Sequence, residues 1–203
     1  PGEISPESKI IFQGENIQEY TKKQWEEYRG QKCSICFQDA LTALNPTMTI
    51  GKQIMEKIRV HKKVTKKEAW NEAVHMLELV GIPNPEYRMR QYPHEFSGGM
   101  RQRVMIAIAM TLNPALLIAD EPTTALDVTV QADILDMMKE IQKQHGMSVL
   151  LITHDLGIVA NFATEIIVMY AGKVVEQGSA EDIFYRPRHP YTKALLRAVP
   201  RLD

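Results

Sequence analysis

The chain has 203 residues, a length that suits one domain or one domain with a small subdomain. Its net charge of −1 gives no electrostatic reason to expect nucleic-acid binding, so nucleic acid is not a predicted partner. The longest apolar runs have the length of a strand, and no cationic segment followed by an apolar run opens the chain. The sequence therefore predicts neither a membrane-spanning helix nor a signal peptide, and a membrane role would have to come through a partner.

The first predicted elements lead to a strand that ends at Gln38. Residues 10–12 are typical of a short strand, and residues 21–28 of a short helix. Residues 32–38 form the next predicted strand. A glutamine at the end of a strand is by itself most often a surface residue.

Both cysteines lie in this strand, at Cys33 and Cys36. The C-x-x-C spacing invites a redox or zinc interpretation, but a strand points residues three apart to opposite faces. No second Cys or Cys/His pair completes a zinc ligand set. We therefore predict two ordinary reduced cysteines, as in a cytosolic protein.

Two helices are predicted next, over residues 48–60 and 65–80. Thr65 and Glu68 have the spacing of a capping box at the start of the second helix, and Gly81 is its stop signal. We interpret the apolar stripe of the first helix as core packing and nominate none of its residues as a contact with a partner. The stripe consists of Met48, Ile50, Ile54, Met55 and Ile58.

The segment Ser97-Gly98-Gly99 precedes a predicted helix over residues 100–112. Serine is a good N-cap, and the two glycines leave the backbone bare. Free backbone N–H groups at the start of a helix form an anion site, for which phosphate is a natural ligand. One Ser-Gly-Gly segment is weak evidence by itself.

An apolar run over residues 115–119 is typical of a strand buried on both faces, and it ends in Asp120 and Glu121. Parallel strands deliver ligand groups at their carboxyl ends. Successive residues leave a strand in opposite directions, so one carboxylate can serve a metal and the other a water.

The remaining elements repeat the order of strand and helix. A helix over residues 129–145 is followed by an apolar strand over 148–153, which ends at His154. This order predicts an α/β fold with a parallel, doubly wound sheet. Residues 166–169 and 173–176 are predicted to form a hairpin, before a tail that contains His-Pro-Tyr-Thr at residues 189–192.

Taken together, these segments resemble the ordered motifs of the ABC-transporter ATPases. The matching positions are Gln38, Ser97-Gly98-Gly99, Asp120-Glu121, Asp127 and His154. The usual Leu and Gln of the signature motif are here Phe96 and Met100. That variant and the tail at residues 189–192 resemble the dipeptide, oligopeptide and nickel importers of this family.

The resemblance implies ATP and Mg²⁺ as cofactors and a role for each matching residue. Asp120 and Gln38 would serve the Mg²⁺ ion, and Glu121 would be the general base for the attacking water. Gln38 would also sense that water, and His154 would hold the γ-phosphate.

The resemblance also implies a dimer. Ser97, Gly98 and Gly99 of one subunit would cover the ATP that the other holds, and Asp127 would contact that second ATPase subunit. The implied partners are a second identical or related ATPase subunit, transmembrane permease subunits and, indirectly, a substrate-binding protein. The implied location is the cytoplasmic face of the cell membrane, as a peripheral protein.

The fold implied is a P-loop NTPase-like, mostly parallel sheet with an inserted helical subdomain. Its expected divisions are a core part at residues 1–46, the helical subdomain at 47–95, a second core part at 96–178 and a tail at 179–203. No G-x-x-x-x-G-K-[ST] phosphate loop is present. We therefore expect an incomplete and inactive piece of the ATPase, without the N-terminal part of the fold and a central strand of the sheet.

Two other functions stay open on the sequence. The first is a soluble ABC ATPase in DNA repair or translation. The helices predicted between Gln38 and Ser97 and the His-Pro-Tyr tail favour a transporter instead. The second is a non-catalytic interaction fragment, which the missing phosphate loop favours. Capture of membrane subunits rather than nucleic acid would support the transporter.

Overall fold

The computed structural model describes residues 4–5, 7–124 and 126–198, with Leu41 as backbone only. The strands are β1 (Ile11–Phe12), β2 (Glu15–Asn16), β3 (Cys33–Cys36), β4 (Leu116–Asp120), β5 (Ser148–Ile152), β6 (Glu165–Tyr170) and β7 (Lys173–Ser179). The helices are α1 (Lys22–Glu27), α2 (Ala40–Ala43), α3 (Ile50–His61), α4 (Lys66–Leu79), α5 (Pro85–Arg88), α6 (Gly98–Met110), α7 (Val128–His145), α8 (Leu156–Phe162), α9 (Ala180–Tyr185) and α10 (Pro190–Arg197). In the part of the chain described, no helix is long and apolar enough to cross a membrane.

A three-stranded parallel sheet lies at the centre of the fold, in the order β3-β4-β5. Cys36 pairs with Ala119, and Asp120 pairs with Ile152, so the three strands end together. The predicted α/β fold with a parallel sheet is confirmed, but helices on both faces, as in a doubly wound sheet, are not found among the described residues. Because these strands are direct neighbours, a further parallel strand could join only at an edge of this sheet.

One face of this sheet is covered and the other is open. Cys36, Leu117 and Ala119 are buried against the helices. On the opposite face, the exposed fractions are 43% for Ile35, 54% for Phe37 and 46% for each of Leu150 and Ile152. The prediction that residues 115–119 are buried on both faces is therefore only half correct, because the described helices cover a single face.

The two predicted helices of the interval before the signature are confirmed as α3 and α4. Thr65 and Glu68 form the predicted capping box, and Gly81 follows α4 with a φ of +73°. Four of the five residues of the apolar stripe are core, because Ile50, Ile54 and Ile58 are fully buried and Met55 is buried too, whereas Met48 is half-exposed. One continuous core joins these helices to α6, α7 and the sheet. The boundaries of a separate helical subdomain stay a prediction.

The C-terminal part forms a second, smaller core between the β6–β7 hairpin and α9. The hairpin confirms the prediction for residues 166–176. The Glu176 carboxylate accepts hydrogen bonds from the backbone N–H groups of Arg188, at 2.6 Å, and His189, at 3.1 Å. These bonds tie the His-Pro-Tyr segment to β7. Residues 199–203, the end of the predicted tail, lie outside the described residues.

Candidate functional site

The structure brings Glu121, the predicted base, into contact with Gln38 and His154, a pairing that the sequence analysis did not predict. Gln38 Nε2 donates a hydrogen bond to Glu121 Oε2 at 2.6 Å. His154 Nδ1 lies 2.8 Å from Glu121 Oε1. The three residues are separated by 83 and 33 positions along the chain, so the fold alone assembles them.

The ends of the parallel strands position these side chains. Gln38 follows β3, Glu121 follows β4 and His154 follows β5, so all three lie at the carboxyl edge of the sheet. The N–H of Glu121 donates to Ile152 O at 2.9 Å and joins the turn to the neighbouring strand. Glu121 has a φ of +44°, a left-handed conformation that is uncommon for a residue with a side chain and is often found at functional sites.

The contacts of Glu121 favour its charged form. Its hydrogen bond with His154, followed by that with Thr124, lowers the pKa of the Glu121 carboxyl below its ordinary value, although desolvation opposes the shift. The carboxylate is therefore ionised at neutral pH and can accept a proton from a bound water.

Thr124 is a member of this cluster that the sequence did not reveal. Its Oγ1 donates a hydrogen bond to Glu121 Oε2 at 3.0 Å, and its N–H donates to Glu121 O at 3.2 Å. The tight turn after β4 places Thr124 three residues beyond the carboxylate. The available signal was a hydroxyl residue at this spacing in a turn.

Asp120 is the last residue of β4 and is half-buried beside this cluster. Its carboxylate has no hydrogen-bond partner among the residues described. No group of three or more His, Cys, Asp or Glu side chains in the described part could hold a metal alone. Asp120 fits a Mg²⁺ site in which one or two carboxylates bind the ion together with the phosphates of the substrate.

The signature segment forms the start of α6. Ser97 Oγ accepts a hydrogen bond from Met100 N at 3.3 Å, so the predicted N-cap is confirmed. Gly98 is exposed, while Gly99 is half-buried and faces Val130 of α7. A Cβ on Gly99 would lie 2.6 Å from Val130 Cγ1. Close packing of α6 against α7 therefore requires the second glycine, besides any role with phosphate.

This contact gives a direct test of the packing. We expect Gly99→Ala to destabilise the chain by about 1–3 kcal/mol, because the new methyl overlaps a β-branched side chain. Gly98→Ala is the matched control, since its Cβ would lie 3.4 Å from Leu126 and only a small shift is needed. Urea unfolding of both variants measures the difference, and equal midpoints would contradict the packing explanation.

Asp127 has a local role in the described structure. Its Oδ1 accepts a hydrogen bond from Val130 N at 3.0 Å and caps the start of α7. Because Val130 also contacts Gly99, the start of α7 and the signature segment share one surface. The predicted contact of Asp127 with a second ATPase subunit stays a prediction.

An open groove of about 720 Å³ lies between α3, α4 and the two residues that follow α5. Its apolar lining includes Trp70 and Met89, and the half-exposed Met48 of the predicted stripe lines it too. The charged residues at its rim are Lys52, Glu56, Arg59, Lys66 and Arg90. The groove therefore offers an apolar floor with a mostly cationic rim.

The fold and site have counterparts among known proteins. The family model "ABC transporter" matches residues 2–124, and the model "Oligopeptide/dipeptide transporter, C-terminal region" matches residues 175–203. The chain is similar to the dimeric cassette MJ0796 bound to ADP and Pi, with a TM-score of 0.76, 24% identity and coverage of 86% of this chain and 74% of that one. It is also similar to cbiO1 of Clostridium perfringens, with a TM-score of 0.78, 28% identity and coverage of 90% and 70%.

These findings define an ATP-binding cassette fold, and the chain belongs to the ABC transporter family. Within that family, it is 56% identical over 194 residues to the oligopeptide transport ATP-binding protein OppD of Bacillus subtilis. It is 55% identical over 197 residues to the dipeptide transport ATP-binding protein DppD of the same organism. The matches cover 96% and 97% of this chain but 54% and 59% of those relatives, so the chain spans little more than half their length.

Proposed function

We propose that the chain is the catalytic part of an ATP-hydrolysing subunit that powers a peptide or nickel importer. The observation that carries this proposal is the Glu121 carboxylate, ionised and held between Gln38 and His154 at the ends of three neighbouring strands. The similarity to oligopeptide and dipeptide transport ATP-binding proteins supports the peptide substrate class.

In the proposed mechanism, Glu121 takes a proton from the water that attacks the γ-phosphate of ATP. In the structure, Gln38 donates a hydrogen bond to the Glu121 carboxylate, and His154 lies within hydrogen-bond distance of it. A bound phosphate and the attacking water would therefore compete with these contacts for the side chains of Gln38, Glu121 and His154. Thr124 would keep Glu121 oriented during that exchange. A Mg²⁺ ion, held by Asp120 and Gln38 with the phosphates, would neutralise negative charge on the phosphates.

The proposed partners follow from two surfaces. The exposed start of α6, with Ser97 and Gly98, has free N–H groups suited to the phosphates of an ATP held by a second ATPase subunit. The groove between α3 and α4 suits an amphipathic helix of a permease subunit, because it combines an apolar floor with a charged rim. A substrate-binding protein would act indirectly. This assembly would place the chain at the cytoplasmic face of the membrane as a peripheral subunit.

The soluble ABC ATPase of DNA repair or translation is the competing assignment. The C-terminal match to oligopeptide and dipeptide transporters favours the importer. Affinity capture with the tagged chain decides between them. Recovery of permease subunits is expected, whereas recovery of nucleic acid or ribosomes without permease subunits would reject the importer.

The 203 residues contain no phosphate loop, and this gives a quantitative prediction. We expect the chain by itself to show no ATPase activity above background and to bind Mg-ATP with a Kd of about 1 mM or weaker, about −4 kcal/mol. Asp120 and the N–H groups of α6 offer too few contacts for tighter binding. Calorimetry with Mg-ATP is the measurement. The control is the same chain extended at its N-terminus by a phosphate-loop segment, and micromolar binding with turnover by the unextended chain would refute the prediction.

A further inference from the structure

A half-buried lysine joins three elements of the fold. Lys57 lies on α3 and directs its side chain inward. Its Nζ donates hydrogen bonds to Ile108 O at 2.7 Å, Ala109 O at 3.1 Å and Ser34 Oγ at 3.1 Å. An ammonium group has three N–H donors, and all of them are therefore used.

The partners of Lys57 are unusual for a cation that is largely withdrawn from water. Removing an ammonium group from water is costly, and burial lowers the pKa of Lys57 to about 8. Among the described residues, Lys57 has no carboxylate within ion-pair distance. Instead it caps the last carbonyls of α6, where the helix dipole is negative and intrahelical donors are missing. At neutral pH the site therefore holds the ammonium form.

A second polar contact joins the same helix to the same strand. Gln102, which is only 4% exposed, directs its Nε2 to Cys36 Sγ at 3.7 Å. Ser34 and Cys36 lie two positions apart in β3, so both side chains are on its covered face, where they are buried. Helix α6 is thus joined to β3 near its start through Gln102 and at its end through Lys57.

These contacts link the two segments that would face nucleotide. Helix α6 begins with the signature segment after Ser97, and β3 leads directly into Gln38. We propose that Lys57 is a positioning residue for ATP hydrolysis, which fixes the signature helix relative to the strand that carries Gln38. This inference rests on the proposed function. Since α3 also lines the groove with Met55 and Glu56, the same helix would contact the permease on its other face.

The first measurement is hydrogen exchange on the 203-residue chain, which needs no nucleotide. We expect Lys57→Met to increase exchange about tenfold in residues 33–36 and 107–112, because three hydrogen bonds of a charged donor are lost. Ser34→Ala removes only the bond to the strand, so faster exchange is expected in residues 33–36 alone. Lys67→Met, at an exposed position of α4, is the matched control and leaves both segments unchanged.

The second measurement is ATP hydrolysis by the chain extended with a phosphate-loop segment. We expect Lys57→Met to lower kcat about tenfold and to leave KM for ATP within about twofold, because the phosphate loop binds ATP while Lys57 only positions the catalytic segments. Ser34→Ala should lower kcat less, and adding it to Lys57→Met should have no further effect.

The outcomes separate this inference from the proposed function. If the extended chain without substitutions is inactive, that result would count against the proposed function. If it is active and its Lys57→Met variant is equally active, that result would overturn the inference alone. Unchanged exchange in residues 33–36 and 107–112 would overturn it as well. If Lys57→Met does not fold, Ser34→Ala decides, and a Ser34→Ala variant with unchanged exchange and kcat would reject the link to β3.

Discussion

Glu121→Gln is expected to lower ATP turnover by about 10²–10⁴, the usual contribution of a general base, while ATP binding is retained. The measurement is steady-state hydrolysis by the chain extended with a phosphate-loop segment. An amide has the shape of the carboxylate and can still accept the hydrogen bonds from Gln38 and Thr124, so the turn after β4 should keep its structure. It cannot accept a proton from water near neutral pH.

Two variants make this result specific. Glu140→Gln, at an exposed position of α7, removes a carboxylate far from the strand ends and should leave turnover unchanged. Thr124→Val removes one hydrogen bond to Glu121 and should lower turnover far less than Glu121→Gln. If the turnover of Glu121→Gln lies within threefold of that of the extended chain without substitutions, Glu121 would be excluded as the base.

Ser97→Arg is expected to abolish the ATP-bound dimer and to leave ATP binding by the monomer nearly intact. The substitution places a long side chain where α6 would present its free N–H groups to the phosphates of a partner subunit. It also removes the hydrogen bond from Met100 N to the cap, which costs about 1 kcal/mol of stability. Light scattering with Mg-ATP measures the dimer of the chain extended with a phosphate-loop segment, in which Glu121→Gln also prevents hydrolysis.

Ser97→Asp separates the cap from the phosphate contact. Aspartate is as good an N-cap as serine, so this variant should unfold like the parent chain. Its negative charge would repel phosphate, and the dimer should still be lost. If the Ser97→Asp variant still dimerises with ATP like the extended chain without substitutions, Ser97 does not face the phosphates.

The sequence predicted the strand ends well because local signals and strand pairing agree there. Each of Gln38, Glu121 and His154 follows a short apolar run, and parallel strands end at one edge of a sheet. The sequence therefore placed each residue at the end of a strand, but it did not predict the contacts of Gln38 and His154 with Glu121. The caps at Ser97 and Thr65 are equally local signals, which depend on residues no more than three positions apart.

Other features depend on distant packing and had no local signal. Lys57 looks like any helical lysine until the end of α6 and Ser34 are placed beside it. The need for Gly99 to lack a side chain comes from Val130 on another helix. The open face of the sheet was also missed, because an apolar strand has the same sequence whether one face is covered or both are.

That open face has a consequence for the behaviour of the chain in solution. It carries Ile35, Phe37, Leu150 and Ile152, and β3 and β5 end the sheet on either side among the strands described. Apolar side chains beside unpaired strand edges favour association between identical molecules. The chain should therefore bind hydrophobic dyes and form larger species as its concentration rises. Threonine favours strands, so replacing Phe37 and Leu150 by threonine should keep the strands intact. The chain should then stay monomeric up to a higher concentration.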